Sequence, residues 1–398
     1  MQHKNSLEAG IRKRSLPASV YVLMASVAVI GSNSLVLGPI APSVALSLGS
    51  SVPNVMMATA AFGLGAATSA LFLSHYIDRL GPARVLRIAM GLLPLALILS
   101  AVAPYVSVLV LAQLLAGVAS GLALPAIYTN AAVIAPPGLE SKTVGMVLAG
   151  WTLSMVAGVS VSAMVADLLD WRAVYGAVAT LAAIAVVSLW RMKDRDARKK
   201  VAAPVPLSAL KLAGIKPLLV SCGAFMAGFY GVYAFLGDYL RNGLGEPLSA
   251  NGLLAMFYGV GFGGAVLFER LVSKAEARSA LPVALALVAL IYLLLAVGGS
   301  TLLSVLILML LLGLANHYGV NLFIVRLTAI EPTKRGAIMG LYSAVTNLAV
   351  FAGTSSFGQI YSARGFVTVA YAAMALSMVA ALVCVFLMES GVRFNEHG

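Results

Sequence analysis

Two ionisable side chains lie in or near long apolar segments, where they could bind and release a proton. His317 is the only ionisable residue well inside such a segment, since all 14 Asp and Glu residues can be placed in loops or near segment ends. Imidazole titrates at about pH 6.5 when unperturbed, so modest changes in burial move its charge across the working range. Asp238, near a segment end, is the second candidate. We predict proton coupling at these two residues; the alternatives are a neutral imidazole bonded to a neighbouring helix and an Asp238 to Arg241 pair capping a helix.

Uncharged polar and aromatic side chains also recur inside the apolar segments. Small-molecule sites are mostly apolar cavities with a few polar groups that orient the bound molecule. Asn and Gln also join helices by hydrogen bonds, so a packing role is the alternative for each. The candidates for contact with a small molecule are Asn33, Gln113, Trp151, Tyr233, Asn316, Tyr342 and Asn347.

The inventory of reactive groups argues against an enzyme. Catalysis would need a converging nucleophile, an acid-base pair or a metal cluster, whereas the apolar segments offer one histidine and two isolated cysteines, Cys222 and Cys384. No enzymatic activity, metal or cofactor is therefore predicted, and the cysteines are predicted to be inert packing residues. The chain has no G-x-x-x-x-G-K-[ST] loop, which argues against a nucleotide-driven pump.

The segments that would position these residues are membrane spans. The 398-residue chain is 61% hydrophobic and 10% charged, whereas a soluble domain is about 25% charged. Apolar runs of about 20 residues, enough to cross the hydrocarbon core, recur along its length. The sequence predicts an all-α membrane protein with twelve transmembrane helices at 18–40, 54–76, 86–103, 107–133, 144–166, 172–191, 217–240, 252–270, 280–297, 302–325, 337–360 and 366–388.

The net charge of +12 is concentrated in alternate loops. Only Arg172, Arg241 and Arg364 of the 26 Lys and Arg residues fall on the side opposite the N-terminus. The positive-inside rule then places both termini in the cytoplasm of a multi-pass protein of the inner cell membrane. The charge therefore indicates contact with anionic membrane lipids, above all at the basic linker 191–216, and not with nucleic acid.

The linker divides the chain into two halves that echo each other. Asp78-Arg79 recurs as Glu269-Arg270, 191 residues later, and Trp171-Arg172 is matched by Ala363-Arg364, 192 residues later. We predict an N-terminal six-helix bundle at 1–190, a cytoplasmic linker at 191–216 and a C-terminal six-helix bundle at 217–398. Many secondary transporters have such a repeat, with the binding site at midplane between the halves.

The loop after the second span, SHYIDRLGPARVL from Ser74 to Leu86, resembles the signature G-x-L-a-D-r-x-G-r-k-x-x-l of the major facilitator superfamily. It keeps the acid, the arginine, the central glycine and the final leucine, but has Ser74 at the first glycine and Pro82-Ala83 at the usual basic positions. The resemblance implies the major facilitator fold and a conformational latch formed by Asp78, Arg79 and Gly81. An ordinary solvated turn is the alternative.

The fifth span resembles that of the drug, sugar and nucleoside efflux branch of this family, whose members are proton antiporters. The resemblance rests on Gly150-Trp151, on Gly158 and on Trp171-Arg172, with Ser160 and Ser162 where that branch has Gly-Pro and a second glycine. Small residues at this spacing also let helices approach closely, so helix packing is sufficient reason for them.

Two departures from this branch concern charge. Asn33 stands where the branch often has an acid in the first span, and Gln113 where it often has an arginine in the fourth. Both groups are linked to proton coupling in many members, so coupling cannot be assigned to these positions by resemblance. This leaves His317 as the candidate, with Asp238 next.

Together these features predict a monomeric secondary active transporter. It would move a small organic solute such as a drug, sugar or nucleoside, exporting it by alternating access with protons as the coupling ion. Export rests on resemblance to the efflux branch, and the alternatives are an importer of the same fold and a membrane sensor or scaffold that transports nothing.

Overall fold

The computed structural model describes residues 16–136, 139–192, 206–268 and 277–389. Eleven helical segments in these ranges are long and apolar enough to cross a membrane. The longest helical stretch, Arg335–Glu389, has 55 residues and a non-helical backbone at Gly365, with φ 72° and ψ −176°. A straight helix of that length would run about 80 Å, more than twice the hydrocarbon thickness. Only glycine adopts this backbone conformation readily, so Gly365 separates two spans and the structure has twelve.

We number the spans in chain order. They are α1 Ala18–Ser47, α2 Val52–Phe72, α3 Pro82–Ala101, α4 Val106–Ile134, α5 from Glu140 to Leu168, α6 Trp171–Arg191, α7 from Ile215 to Gly243, α8 Ala250–Gly264, α9 Ala277–Gly298, α10 Leu302–Ile330, α11 335–364 and α12 366–389. Most helices extend a few residues beyond the predicted spans. A helix can continue into the headgroup region, so its length exceeds that of its apolar run.

Two helices contain a π turn. In α5 it covers Ser154–Val159, and in α7 it covers Tyr239–Gly243 at the end of the helix. The hydroxyl of Ser160 donates to the carbonyl of Met155, 2.9 Å away, and so stabilises the wider turn. Such bulges are frequent at functional sites.

The twelve helices form two bundles of six in which the same helix contacts recur. A Cβ on Gly65 or Gly117 would lie 2.3 or 2.1 Å from the carbonyl oxygens of Leu114 and Phe62, so α2 and α4 touch along their backbones. The same contacts recur between α8 and α10, each 196 residues later, where Gly261 faces Leu310 and Gly313 faces Tyr258. Lipid is as apolar as leucine, so close packing of small residues must hold these helices together.

The two bundles meet along three pairs of helices, α1 with α7, α2 with α11 and α5 with α8. We call the side where α1 starts and α12 ends the near side, and the opposite side the far side. With twelve spans, every odd-numbered helix runs from near to far and every even-numbered helix returns.

We expect Gly117→Ala and Gly313→Ala to lower the apparent melting temperature of the detergent-solubilised protein. Each added methyl group meets a backbone carbonyl that cannot turn away, and such overpacking costs about 1–3 kcal/mol. Gly91→Ala in α3 is the matched control, because no atom lies within 4 Å of its added Cβ. A Gly117→Ala protein that melts with the wild type would contradict this account of the α2 and α4 contact.

Candidate functional site

The two bundles touch along their backbones where α1 meets α7 near the far side. A Cβ on Gly237 would lie 2.8 Å from the carbonyl oxygen of Gly38. That carbonyl lacks its usual helical donor, because the residue four positions on is Pro42, which has no backbone N–H. Glycine on one helix and proline on the other thus allow backbone contact between the two halves.

Asn251 fastens the same contact from α8. Its side-chain amide nitrogen donates to the carbonyl of Pro39 in the first half, at 2.7 Å, and to that of Gly237 in the second, at 3.1 Å. The residue is completely buried, and its side-chain oxygen has no hydrogen-bond partner in the described structure. We call this arrangement the Asn251 clamp.

The other two helix pairs also close toward the far side. The carboxylate of Asp167 in α5 accepts a hydrogen bond from the backbone N–H of Ser249, just before α8, at 3.2 Å. A Cβ on Gly252 would lie 2.4 Å from the carbonyl oxygen of Ser160, and one on Gly358 in α11 would lie 3.6 Å from Pro53 in α2. All three interfaces between the halves are therefore in contact at this side.

Asn33 and Gln113 lie together inside the first bundle. Each amide nitrogen donates to the oxygen of the other, at 3.1 and 3.2 Å, and Gln113 also donates to the hydroxyl of Ser100 at 3.0 Å. Both side chains are only 2% exposed. These two substrate candidates thus join α1, α4 and α3. They are also the two positions where the efflux branch often has an acid and an arginine, and the structure places them in direct contact.

Trp151 in α5 lies next to a tyrosine of α4. Its indole N–H donates to the hydroxyl oxygen of Tyr128 in α4, at 3.1 Å. Trp151 lies three residues before the π turn of α5. Gly150 allows α5 to lie against α1, since a Cβ there would be 2.4 Å from the carbonyl oxygen of Met24. Gly158 has the same role against Ser32, as the packing interpretation of the fifth-span signature requires.

Tyr342 in α11 and Tyr230 in α7 lie in the interior of the molecule. Each is surrounded by protein atoms although part of its surface remains accessible, and the same is true of Tyr128. Side chains with both properties line an internal cavity, because a lipid-facing side chain would lack protein on one side. Tyr342 lies near Tyr128 and Tyr230.

His317 and Asn316 face different neighbours, as adjacent residues on a helix must. The Nε2 atom of His317 lies 2.9 Å from the side-chain nitrogen of Asn321, one turn along α10. Its ring also packs edge-on against Phe262 of α8, with centroids 5.0 Å apart. Asn316 donates from its amide to the hydroxyl of Tyr258 in α8, at 3.1 Å.

Asp238 occupies the far end of α7 and is buried. Its carboxylate accepts hydrogen bonds from the hydroxyl of Tyr361 in α11 and from the amide of Asn242, the latter at 2.6 Å. Arg241 donates to the backbone carbonyl of Glu246 at 3.4 Å. Asp238 therefore joins α7 to α11, away from the centre of the molecule.

Tyr233 and Asn347 lie at the contacts between the two halves. The backbone carbonyl of Tyr233 would be 3.0 Å from a Cβ on Gly38, and that of Asn347 would be 2.7 Å from a Cβ on Gly63 in α2. The ring of Tyr233 packs on Phe229, with centroids 5.6 Å apart. The Asn347 amide donates to the carbonyl of Ser343 in its own helix, at 2.8 Å.

The loop motif forms a turn between α2 and α3. Gly81, with φ 86°, ends the short helix His75–Leu80 and directly precedes α3, and Arg79 is exposed. The side chain of Asp78 lies outside the described structure, as do linker residues 193–205. The latch therefore stays a prediction.

Four residues that the structure places at these sites were not expected from the sequence. Tyr128 and Tyr230 are ordinary tyrosines in apolar spans, Asn251 stands at the start of one, and Asn321 follows His317 by one turn. Only the spacing of Tyr230 three residues before Tyr233 could have indicated a shared helix face. Within the described ranges, no group of three or more His, Cys, Asp or Glu side chains could hold a metal ion.

Comparison with known proteins shows the same architecture over nearly the whole chain. The chain is 24% identical over 374 residues to the MFS-type transporter YwfA of Bacillus subtilis, covering 92% of this chain and 91% of that protein. It is 26% identical over 271 residues to a chloramphenicol resistance protein of Streptomyces lividans, covering 66% and 69% of the two chains.

Two solved structures are similar in fold at 15% sequence identity. The structure of a variant of the nucleoside transporter NupG matches with a TM-score of 0.77. The match covers 92% of this chain and 98% of that one. The inward open conformation of the xylose transporter XylE from E. coli has a TM-score of 0.72, with coverage of 94% of this chain and 95% of that one.

The model of the Major Facilitator Superfamily matches residues 22–329, which is more than half of the chain. The fold and these relatives are those of multi-pass membrane transporters of small solutes, and not of enzymes. The chain therefore belongs to the Major Facilitator Superfamily.

Proposed function

We propose that this protein is a secondary active transporter that exports a small organic solute by alternating access, with protons as the coupling ion. One observation carries the proposal. The two six-helix bundles are fastened to each other toward one side, through the Asn251 clamp and the contacts of α2 with α11 and α5 with α8. Rocking about the central cavity would open this side and close the other.

The distribution of charge supports an orientation for this state. Lys and Arg are concentrated on the near side, which the positive-inside rule assigns to the cytoplasm. Both termini would then be cytoplasmic in the cell membrane, and the structure would correspond to the state closed to the outside. Export is favoured because the chain resembles a chloramphenicol resistance protein and sugar efflux transporters.

The chemistry of Asn251 suits a contact that must open again. Its amide nitrogen holds the two halves, but its buried oxygen has no partner, and an unsatisfied buried acceptor costs about 1–3 kcal/mol. Water would reach that oxygen when the far side opens. The clamp therefore stabilises the closed state with two hydrogen bonds and offsets part of that gain with one unpaired group.

Neither Asn33 nor Gln113 has a group that titrates near neutral pH, so proton coupling must use another residue. His317 lies near the middle of α10, and its Nε2 atom faces the amide nitrogen of Asn321. With that amide donating, Nε2 must be unprotonated. Proton binding at Nε2 would require the Asn321 amide to rotate so that its oxygen accepts, which links protonation to a rearrangement in α10. Asp238, bound to Tyr361 and Asn242, is the second candidate.

We expect Asn251→Ala to shift the protein toward a state open at the far side, because both hydrogen bonds of the clamp are lost. Spin labels at Tyr105 and Ser300, in far-side loops of the two halves, would report the distance between them by pulsed electron resonance. The population with the longer distance should grow several-fold. Ser304→Ala, which removes a local hydroxyl at the start of α10, is the control, and an unchanged distribution in Asn251→Ala would argue against the clamp.

We expect Asn33→Asp to lower stability strongly, because it buries a carboxylate beside a neutral amide. An uncompensated buried charge costs about 3–5 kcal/mol. The double variant Asn33→Asp, Gln113→Arg supplies the opposite charge in hydrogen-bond range, so it should melt at a higher temperature than either single variant. If the decreases in melting temperature of the two single variants simply add in the double variant, the two side chains are not coupled in the way the structure describes.

We expect His317→Gln to abolish accumulation driven by a pH gradient while protein-dependent downhill flux persists. The experiment uses the full-length protein in liposomes and three labelled probes, namely chloramphenicol, uridine and xylose. His75→Gln, at an exposed histidine in the near-side loop, is the matched control. No protein-dependent flux of any probe in the wild type would count against transport, and wild-type pH dependence in His317→Gln would move the coupling site to another group.

A further inference from the structure

Three tyrosines from the two halves converge on the accessible interior. Tyr128 belongs to α4 of the first half, whereas Tyr230 and Tyr342 belong to α7 and α11 of the second. Tyr342 lies near both of the others. We call these residues the tyrosine triad. Because it contains members of both halves, rocking of the bundles must change the distances between its hydroxyl groups.

The hydroxyl groups of the triad are available to a bound molecule. In the part of the chain that the structure describes, the hydroxyls of Tyr230 and Tyr342 make no hydrogen bond. Neither hydroxyl oxygen is completely buried, so a molecule in the interior can reach both. The oxygen of Tyr128 accepts from Trp151, which leaves its O–H free to donate. The cavity thus presents three neutral donors next to four aromatic rings, counting the indole.

Two charged side chains within the described spans, Asp238 and Arg87, bind groups away from the triad. Asp238 is held by Tyr361 and Asn242 at the far end of α7. Arg87 donates to the backbone carbonyls of Leu189 and Met192, at 3.3 and 3.0 Å, at the near end of α6. The triad therefore offers a solute hydrogen-bonding hydroxyls and ring faces, without a carboxylate or guanidinium in hydrogen-bond contact with its hydroxyls.

Magnitudes decide which solutes suit such a cavity. A desolvated cation gains about 2 kcal/mol over an aromatic ring, but removing an ion from water costs several kcal/mol when no counter-charge is present. A sugar presents a hydroxyl on almost every carbon, and each one buried without a partner costs about 1–3 kcal/mol. An uncharged aromatic molecule with a few acceptor groups satisfies the donors and stacks on the rings.

We infer that the tyrosine triad, with Trp151, forms a binding site for an uncharged aromatic solute that carries hydrogen-bond acceptors. The inference rests on the proposed transport function, since it specifies the substrate class of the same central cavity. Tyr128, Tyr230 and Tyr342 orient the acceptors, and the indole of Trp151 holds Tyr128 in place through their hydrogen bond.

The test measures binding of labelled chloramphenicol, ethidium and xylose to the detergent-solubilised full-length protein. Chloramphenicol is uncharged and aromatic, ethidium is a permanent aromatic cation, and xylose is uncharged and has no aromatic ring. We expect chloramphenicol to bind at least tenfold more tightly than either of the others. Weaker binding of chloramphenicol than of ethidium or xylose, or no binding of it, would overturn the inference.

Substitutions locate the binding site. Tyr230→Phe and Tyr342→Phe keep the ring but remove the hydroxyl, so each should raise the Kd of chloramphenicol about three- to tenfold. Tyr21→Phe, on a side chain that is 49% exposed in α1, is the control and should leave the Kd unchanged. Equal affinities in all three variants would overturn the role of the triad.

Tryptophan fluorescence gives a readout of position that does not depend on transport. The nitroaromatic ring of chloramphenicol should quench Trp151, so Trp151→Phe should lose the saturable quenching, whereas Trp190→Phe, at a residue that is 65% exposed in α6, should keep it. Retained quenching in Trp151→Phe would place the probe elsewhere. If chloramphenicol binds with this pattern but no probe crosses the liposome membrane, the binding site stands and the transport function is overturned. If xylose alone is transported, the transport function stands and the aromatic binding site is overturned.

Discussion

Close contact between helix backbones is the interaction on which this structure depends. In lipid, apolar side chains gain little from leaving one apolar surrounding for another, so helices associate through close packing and through hydrogen bonds. Glycine makes such packing possible at Gly65 and Gly117 in the first bundle and at Gly261 and Gly313 in the second. The bundles are stable units because carbonyl groups of one helix occupy the space that a Cβ would fill on the next.

The contacts between the bundles use the same principle but in a weaker form. At the far side, proline in α1 leaves the carbonyl of Gly38 without a donor, and Gly237 lets α7 approach it. Asn251 adds two hydrogen bonds, yet its own oxygen is unpaired. The contact between the bundles therefore contains an unpaired acceptor that water can reach when the bundles separate, which lowers the cost of that movement.

The sequence alone predicted the twelve spans because each depends only on local composition. The span 302–325 was expected where α10 covers Leu302–Ile330, and the error lies only at the end that continues past the hydrocarbon. Contacts between distant residues have no such local signal. Asn33 and Gln113 were noticed separately as missing charges, but their direct pairing across 80 positions depends on how α1 packs against α4. Tyr128 and Tyr230 were overlooked because a tyrosine in an apolar span has no feature that tells a cavity wall from a packed core.

Hydrogen-bond partners within the protein divide the interior polar residues into two groups. Asn33 and Gln113 satisfy each other, so a solute could bind their amides only by breaking bonds that already exist. The amide nitrogen of Asn316 is likewise engaged with Tyr258, although its buried oxygen has no partner in the described structure. The hydroxyls of Tyr230 and Tyr342 make no such bonds in the described structure. A polar group removed from bulk water must find some partner, because leaving it unpaired is costly. Water or a solute in the cavity is the partner that remains, and the accessible tyrosines are therefore the groups whose hydrogen bonds must change when a solute enters.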